Sequence, residues 1–426
     1  MHSKIRTNQQ TRRTSCRGSL AVAFVAAWLQ LTPGAAAAQI TAAQSLKDIF
    51  DAAWARQPEA LSLQARRDAV QAQRRAAEAW TPEPPALEAS HKTDRLTRND
   101  GARELEVGVA VPLWLPGERR NTSALADAEA AALDSRAEAA RLRLAALVRE
   151  AWWNWQRAGV EAEIARAQLD SARRLAADVA RRAKAGELAR ADQHQADGAV
   201  AAAEAALAQA EAGATVALQQ LKSLAGGTWA PVATAGAVAE PEPPAAAKPP
   251  PHPALAELKD RATVAERTAA LASTQSRANP ELTLATTRDR GASGERYGQT
   301  VTLAVRIPFG AGPRHDARVA SARADAAEAQ AQLALDRARL ESEREAASAR
   351  VQAARSQAAA AERRFTLARE TRGFFEKSFR LGETDLPTRL RIDAEATEAE
   401  RQAARSHIEL AAAISAWRQA LGLLPQ

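Results

Sequence analysis

Most of this chain consists of two similar segments in tandem, and this internal repeat constrains the fold more than any other feature. Three different motifs recur at an offset of 196 residues, and they are Val111-Pro112-Leu113 with Ile307-Pro308-Phe309, Gly186-Glu187 with Gly382-Glu383, and Gly226 with Gly422. Upstream of the first motif the offset is 195, which pairs Pro58 with Pro253 and Pro85 with Pro280. One register shared by unrelated motifs indicates a duplicated structural unit.

Each copy predicts the same series of elements. A helix comes first, at 45–80 and 254–278, and prolines end it. Two strand-like stretches, one very long helix, a glycine turn and a helix of about 36 residues follow. The long helices, 118–185 and 314–381, contain no proline and would each be roughly 100 Å long at 1.5 Å per residue. Aromatic residues are only 4% of the chain, so the composition favours close-packed long helices over the core of a compact enzyme.

The strand-like stretches alternate in polarity. In 103–111 and 299–307 the apolar residues lie on one face and the polar or small residues on the other, and 87–91 and 282–287 are weaker strand candidates. The pattern fits a membrane β-strand, and it also fits a half-buried hairpin of a soluble domain. Because about eight strands are needed to close a membrane barrel, four per chain would require several chains to share one barrel.

The N-terminus predicts export. Five basic residues precede an apolar run from Leu20 to Leu31, which small residues follow up to Ala38. The expected division is a signal peptide at 1–38, a first repeat at 39–226, a Pro/Ala-rich connector at 227–251 and a second repeat at 252–426. No later stretch is apolar for 18 residues. The sequence leaves open whether Cys16 or the Arg12-Arg13 pair affects the export route.

Charge and motifs exclude several function classes. Five of the seven net positive charges lie in residues 1–38, and the interleaved charges elsewhere predict solvated helix faces and no nucleic-acid binding. The six histidines are scattered and no two lie at ligand spacing. Without a catalytic, cofactor-binding or metal-binding motif, we predict that the chain is not an enzyme and has no cofactor.

The combined motifs resemble the TolC-like outer-membrane efflux proteins over about residues 45–424. The resemblance depends on the duplication, on Asn-Pro-Glu-Leu at 279–282, on the junctions VPLWLPGERR (111–120) and IPFGAGPRHD (307–316), and on the two glycine turns. It implies a mainly α chain with a small β part, assembled as a homotrimer with a 12-stranded outer-membrane β-barrel and a periplasmic α-helical barrel. It also implies contact with outer-membrane lipid, a periplasmic adaptor (membrane fusion) protein and an inner-membrane pump of RND type. The LPGERR junction is most similar to the CzcC/CusC-like branch, which implies heavy-metal cations as substrates.

The resemblance makes the glycine turns the periplasmic tips that contact the adaptor. The expected contact residues are Gly186, Glu187 and Leu188 in the first copy, and Gly382, Glu383 and Thr384 in the second. Some members close the tunnel with aspartates six and nine residues after the tip glycine. Here those positions hold Asp192 and Gln195, then Thr388 and Arg391. We therefore expect either a different gate or a closing ion pair between Asp192 and Arg391.

Two alternatives without a pore have a signal peptide and long helices as well. A periplasmic adaptor would have one hairpin flanked by soluble β-domains. A coiled-coil scaffold would explain the helices but not the duplicated strands. Both alternatives predict a protein that does not enter the membrane as a shared barrel.

Overall fold

The fold is described by a computed structural model over residues 45–226, 239–243, 251–310 and 312–426. Within these ranges seven helices form, namely α1 (Leu46–Ala55), α2 (Pro58–Ala77), α3 (Glu118–Lys184), α4 (Arg190–Ala225), α5 (Pro253–Thr274), α6 (Gly312–Leu381) and α7 (Leu386–Ala420). Four strands form in the same ranges, namely β1 (Ala86–Thr93), β2 (Arg103–Pro112), β3 (Glu281–Arg290) and β4 (Gly298–Arg306). The predicted signal peptide and most of the predicted connector lie outside the described residues.

The elements of the two copies follow the same order, so the predicted duplication is confirmed. Helices α2 and α5 both begin at a proline, Pro58 and Pro253. Proline suits the first turn of a helix because its missing N–H would have no partner there. The two long helices and the shorter helices that follow them also begin within two residues of the 196-residue offset.

The first predicted helix, 45–80, is wrong as a single element. The structure divides it into α1 and α2 at Gln57, which has an extended backbone with ψ of 138°. The cause is Pro58, whose ring disfavours the helical region for the residue before it. Helix α1 is fixed at its start by Ser45, which exchanges hydrogen bonds with Asp48 in a capping box.

The long helices pack as two antiparallel hairpins, α3 with α4 and α6 with α7. Alanine at many of the buried positions lets their backbones approach closely. The largest apolar cluster joins α1, including Phe50, to the tryptophans of α3. Trp152, Trp153 and Trp155 are all buried in it, so these aromatic groups serve helix packing, as their helical spacing predicts.

Two leucines of the long helices that helix packing predicts for a seam are exposed instead. They are Leu147 of α3, with 54% of its surface accessible, and Leu335 of α6, with 68% accessible. The counterpart of Leu335 in the first copy is Ala139, which is 1% exposed. The difference arises because α3 packs against α5 and α7 of the second copy. The matching face of α6 has no such neighbour among the described residues.

The four strands form one antiparallel sheet in the order β1-β2-β3-β4. The contact between the copies is β2 with β3, where Val109 lies opposite Leu284 and Gly108 opposite Ala285. A Cβ on Gly108 would lie 2.8 Å from the Ala285 Cβ, so a side chain at position 108 would force the sheet to shift. The outer edges of β1 and β4 have no strand partner within the described chain.

A buried carboxylate joins the sheet to the helices at the LPGERR junction. Glu118, at the start of α3, is 2% exposed. It accepts hydrogen bonds from the Leu115 backbone N–H at 3.0 Å and from the side chains of Gln275 and Asn279, both at 2.8 Å. Because Gln275 and Asn279 belong to the second copy, this junction connects the copies where the sheet meets the hairpins.

The described part of the connector is held by a second buried carboxylate. Glu240 accepts a two-pronged bond from Arg149 of α3, at 2.8 and 2.9 Å, and a third bond from Arg418 of α7 at 3.2 Å. All three side chains are at most 4% exposed. Burial lowers the pKa of Arg418, and Glu240 acts in the opposite direction. The connector is therefore fixed by ion pairs with both copies.

Candidate functional site

The exposed face of the sheet is the first candidate site. Strand alternation places three rows of side chains on this face. They are Val111, Leu282 and Val305; Leu87, Val109, Leu284 and Leu303; and Ala89, Val107, Thr286 and Val301. The large apolar side chains of the second row are between 42% and 75% exposed.

The opposite face carries polar and small residues. Glu106 lies opposite Thr287, and Ala285 lies opposite Thr302. Two of its small residues, Ala110 and Ala285, are buried. This arrangement is the reverse of a soluble hairpin, whose apolar face would be covered and whose polar face would be wet.

The sheet face ends in polar residues on the side of the strand loops. The row beyond Val301 contains His91, Leu105, Arg288 and Gln299. The loops contact each other through the Ser293 N–H, which donates to the Asp100 carbonyl at 2.8 Å. The Arg290 side chain adds a bond to the Gly101 carbonyl at 3.0 Å. The apolar band is therefore bounded by polar groups at its loop end.

The turn of the first hairpin is the second candidate site. Gly186 has φ of 83°, and the Glu187 N–H donates to the Arg182 carbonyl at 3.0 Å. This pattern ends a helix through one left-handed residue, where glycine has no steric penalty. Of the predicted contact residues, Gly186 and Glu187 are exposed, whereas Leu188 is half-buried and packs between the hairpins.

The turn of the second hairpin repeats this geometry. Gly382 has φ of 77°, and the Glu383 N–H donates to the Ser378 carbonyl at 3.0 Å. Gly382 and Glu383 are exposed. Thr384 is half-buried, and its hydroxyl is 2.6 Å from that of Ser378. Asp385 then caps α7, and hydrogen bonds from the side chain and backbone of Thr388 hold the pKa of its carboxyl below the usual range.

Arg182 and Phe379 join the two turns, and the sequence did not single them out. The Arg182 Nη1 donates to the Phe379 carbonyl at 3.0 Å, and its guanidinium lies 5.1 Å from the centre of the Phe379 ring. Phe379 is buried together with Val179 and Leu386. The signal available in the sequence was a large aromatic residue three positions before a turn glycine in an alanine-rich helix.

The structure does not bring Asp192 and Arg391 together as an ion pair. Asp192 accepts a hydrogen bond from the Ala189 N–H at 3.0 Å and so closes the first turn of α4. Arg391 donates to Glu395, one turn further along α7, at 2.6 Å. Both residues lie near the turns, but each has its own partner within the chain.

A partly buried charged network lies between the hairpins near the turns. Asp393 is 3.1 Å from Arg389 and 3.3 Å from Arg372, and Arg372 also donates to Ser171 of the first hairpin at 3.3 Å. Burial raises the pKa of Asp393, and the two arginines act in the opposite direction. Asp393 and Arg372 also line a cavity of about 250 Å³ between the hairpins. The sequence could not indicate this network, because its charges look like those of an exposed helix face.

The turn glycines lead to a first prediction. A Cβ at Gly186 would meet nothing within 4 Å, so Gly186→Ala would cost only backbone strain, about 1 kcal/mol of the free energy of unfolding. Gly198 lies inside α4, where added atoms would likewise meet nothing within 4 Å. We expect the control Gly198→Ala to raise stability by roughly 0.5–1 kcal/mol. Chemical unfolding followed by circular dichroism measures both. A gain in stability at position 186 would show that the turn does not need the left-handed conformation.

Neither a metal cage nor a membrane-spanning helix is found in the described ranges. No three His, Cys, Asp or Glu side chains lie close enough together there to hold a metal ion. None of the helices that the structure describes is both long and apolar enough to cross a bilayer.

The comparisons with known proteins agree with the geometry. Residues 49–227 match the family model of the outer membrane efflux proteins. A CusC crystal structure concerned with transmembrane channel formation shares the fold with a TM-score of 0.72 at 16% identity, covering 89% of this chain and 92% of that chain. A membrane protein from Pseudomonas aeruginosa has a TM-score of 0.71 at 19% identity, covering 89% and 90%. The outer membrane protein VceC from Vibrio cholerae has a TM-score of 0.68 at 18% identity, covering 88% and 96%. No curated protein matches the sequence.

Proposed function

We propose that this chain, which has the fold of the TolC-like outer-membrane efflux proteins, is the outer-membrane channel subunit of a tripartite efflux system. Its residues 49–227 match the family model of the outer membrane efflux proteins. It conducts substrates passively from an inner-membrane pump and adaptor to the exterior. Energy for transport comes from the pump, and this subunit performs no chemistry.

The observation that carries the proposal is the exposed apolar face of the sheet. Burying apolar surface is favourable by about 25 cal/mol per Å², so a face with Leu284, Leu303 and Val301 left in water is costly. Hydrocarbon would cover that face, while the polar face lines a water-filled lumen. The apolar band is also bounded by polar rows at the loop end, as a segment that leaves the bilayer would be.

The free edges of β1 and β4 support a homotrimer. Unpaired backbone groups have no water to bond to inside a bilayer, so an open sheet edge is excluded there. Four strands from each of three chains would close a 12-stranded barrel, and the helical hairpins would continue it as a barrel in the periplasm. We also keep residues 1–38 as a cleaved signal peptide, 39–226 and 252–426 as the repeats, and 227–251 as the connector.

The hairpin turns are the proposed adaptor contacts. Gly186, Glu187, Gly382 and Glu383 are exposed at the ends of helices that are roughly 100 Å long. Leu188 and Thr384 would support the contact from the packed side of the turns. We keep Asp192 and Arg391 as gate residues, but the pair would have to form between neighbouring chains, because within one chain each has another partner.

The proposed substrates are heavy-metal cations and the proposed pump is of RND type. This part rests on the similarity of the LPGERR junction to the CzcC/CusC-like branch. A gene deletion tests it: we expect greater sensitivity to divalent metal ions than to dyes. Equal sensitivity to both would overturn the metal assignment and leave the channel proposal in place.

Membrane fractionation tests the channel proposal. We expect the mature protein in the outer-membrane fraction, with a native mass of three chains in mild detergent. A monomer in the periplasmic fraction would sink the proposal and favour the adaptor or scaffold alternatives. The adaptor alternative has less support already, because the chain has two long hairpins and one shared sheet where an adaptor would have one hairpin between β-domains.

A further inference from the structure

The first repeat contacts the second through a strand and a long helix, and the equivalent strand and helix of the second repeat lack the corresponding partners within the chain. Strand β2 pairs with β3, and α3 packs against α5 and α7. Applying the same relation from the second copy onward would pair β4 with β1 and pack α6 against α2 and α4. Among the described elements β4 and β1 are not paired, and α6 makes no extensive contact with α2 or α4. Because a repeated contact between like units continues until it closes, the missing partner is a second copy of this chain.

The junction around Glu118 shows what the second contact should contain. Within the chain, Glu118 of the first copy bonds to Gln275 of the second at 2.8 Å. The residue 196 positions after Glu118 is Arg314, and the residue 195 positions before Gln275 is Trp80. The junction within the chain therefore pairs a carboxylate with an amide, whereas the equivalent junction between chains would pair the guanidinium of Arg314 with the indole of Trp80. A guanidinium over an indole is a favourable cation–π pair.

Exposure agrees with this pairing. Trp80 is 94% exposed and Arg314 is also exposed. Their counterparts, Gln275 and Glu118, are partly and fully buried by each other's copies. An indole held open to water has no packing purpose within its own chain.

The backbone and the helix faces give independent support. The Leu113 N–H donates to the Pro280 carbonyl at 2.7 Å, which extends the β2–β3 ladder. Its counterpart Phe309 is 90% exposed. Leu335 is the 68% exposed counterpart of buried Ala139. Ala139 lies one helix turn from Arg143, which pairs with Glu257 of α5, so the matching face of α6 would meet the α2 of a neighbouring chain.

We propose that Trp80 of one chain stacks on Arg314 of a neighbouring chain. In the same contact, β1 of the first chain pairs with β4 of the neighbouring chain. The proposal rests on the proposed trimer and names its contacts. The register follows from Val111 opposite Leu282, which places Ile307 opposite Leu87 of the neighbouring copy. A lipid-facing position for Trp80 is the competing outcome, because tryptophan is also frequent at membrane interfaces.

Cysteine cross-linking tests the register. The sequence has one cysteine, Cys16, so a Cys16→Ser background has none. We expect Ile307→Cys with Leu87→Cys to form disulfide-linked dimers and trimers under oxidation, because directly opposed residues are about 4.5–5.5 Å apart between Cα atoms. The matched control, Ile307→Cys with His91→Cys, is shifted by four residues and should not cross-link.

A double-mutant cycle tests the aromatic contact. We expect Trp80→Ala and Arg314→Ala each to weaken trimer association by roughly 2- to 30-fold, and the double variant to weaken it no further. Leu96→Ala removes another exposed large side chain, from a strand loop, and should have no effect. Independent effects at positions 80 and 314 would overturn the contact and favour lipid.

The outcomes separate this inference from the function. Trimers that fail to cross-link at positions 307 and 87 would overturn the inference alone. A monomer in mild detergent would overturn both the inference and the channel proposal. A cross-link together with a non-additive cycle would establish the contact between copies.

Discussion

Glu240→Ala is expected to lower the free energy of unfolding by about 3–5 kcal/mol, because removing one partner of a buried ion pair leaves the other charges uncompensated. Here the substitution removes the carboxylate partner of two guanidinium groups, those of Arg149 and Arg418. Both arginine side chains are at most 4% exposed. Backbone carbonyls of Leu423 and Pro241 would still accept from them, but they carry no full charge. The midpoint of chemical unfolding of the detergent-solubilised protein, followed by circular dichroism, measures the loss.

The connector supplies its own control for this experiment. Glu242, two residues further on, pairs with Arg355 of α6, and both of these side chains are about half exposed. A pair in water contributes roughly 0–1 kcal/mol, so Glu242→Ala should have little effect. Similar losses for the two variants would contradict the claim that Glu240 is the buried anchor. A loss at neither position would mean that the connector does not stabilise the helices.

Val301→Arg is expected to prevent stable insertion of the sheet, whereas Thr300→Arg should be tolerated. The two residues are adjacent on β4, so their depth along the strand is nearly equal and only the face differs. Val301 lies in the apolar rows and is 71% exposed, and an arginine facing lipid costs about 2–4 kcal/mol near the bilayer midplane. Thr300 lies on the polar face opposite Thr287, where a charge would meet water.

Fractionation of the two variants measures the difference. We expect Val301→Arg to be depleted from the outer-membrane fraction and Thr300→Arg to be recovered there at the level of the unchanged protein. Loss of both variants would indicate that the strand tolerates no added bulk on either face. Recovery of both would show that the apolar face does not meet lipid.

The strands and long helices could be predicted because their signals are local and repeated. Alternation in 103–111 marks β2 without any knowledge of its partner, and the duplication doubles every helix signal. Pro58 in the sequence is a signal for the break at Gln57. The alanine-rich helical pattern on both sides of Pro58 nevertheless predicts one continuous helix. Boundaries of this kind depend on one residue's backbone preference.

The buried charges could not be predicted because their partners are remote in the chain. Glu240 lies within the Pro/Ala-rich segment 227–251, which the sequence indicates only as an extended connector, and Arg149 is 91 residues away from it. Nothing in the spacing distinguishes Arg149 from the many arginines on solvated faces. The gate residues failed to pair within the chain for a related reason: the Asp192 carboxylate has a nearer donor in its own helix turn.

The position of the Glu240 anchor has a mechanical consequence. Arg149 lies near the middle of the 67-residue helix α3, about 35 residues and hence roughly 50 Å from its end at Lys184. The buried contact holds α3 near its middle, so a bend of the helix there would move the turn at Lys184 through the full length of this half. A rotation of about 5° at Arg149 would displace the turn by roughly 4 Å over that length. Arg182 ties the first turn to Phe379 of the second, so the two hairpins of one chain would swing as one.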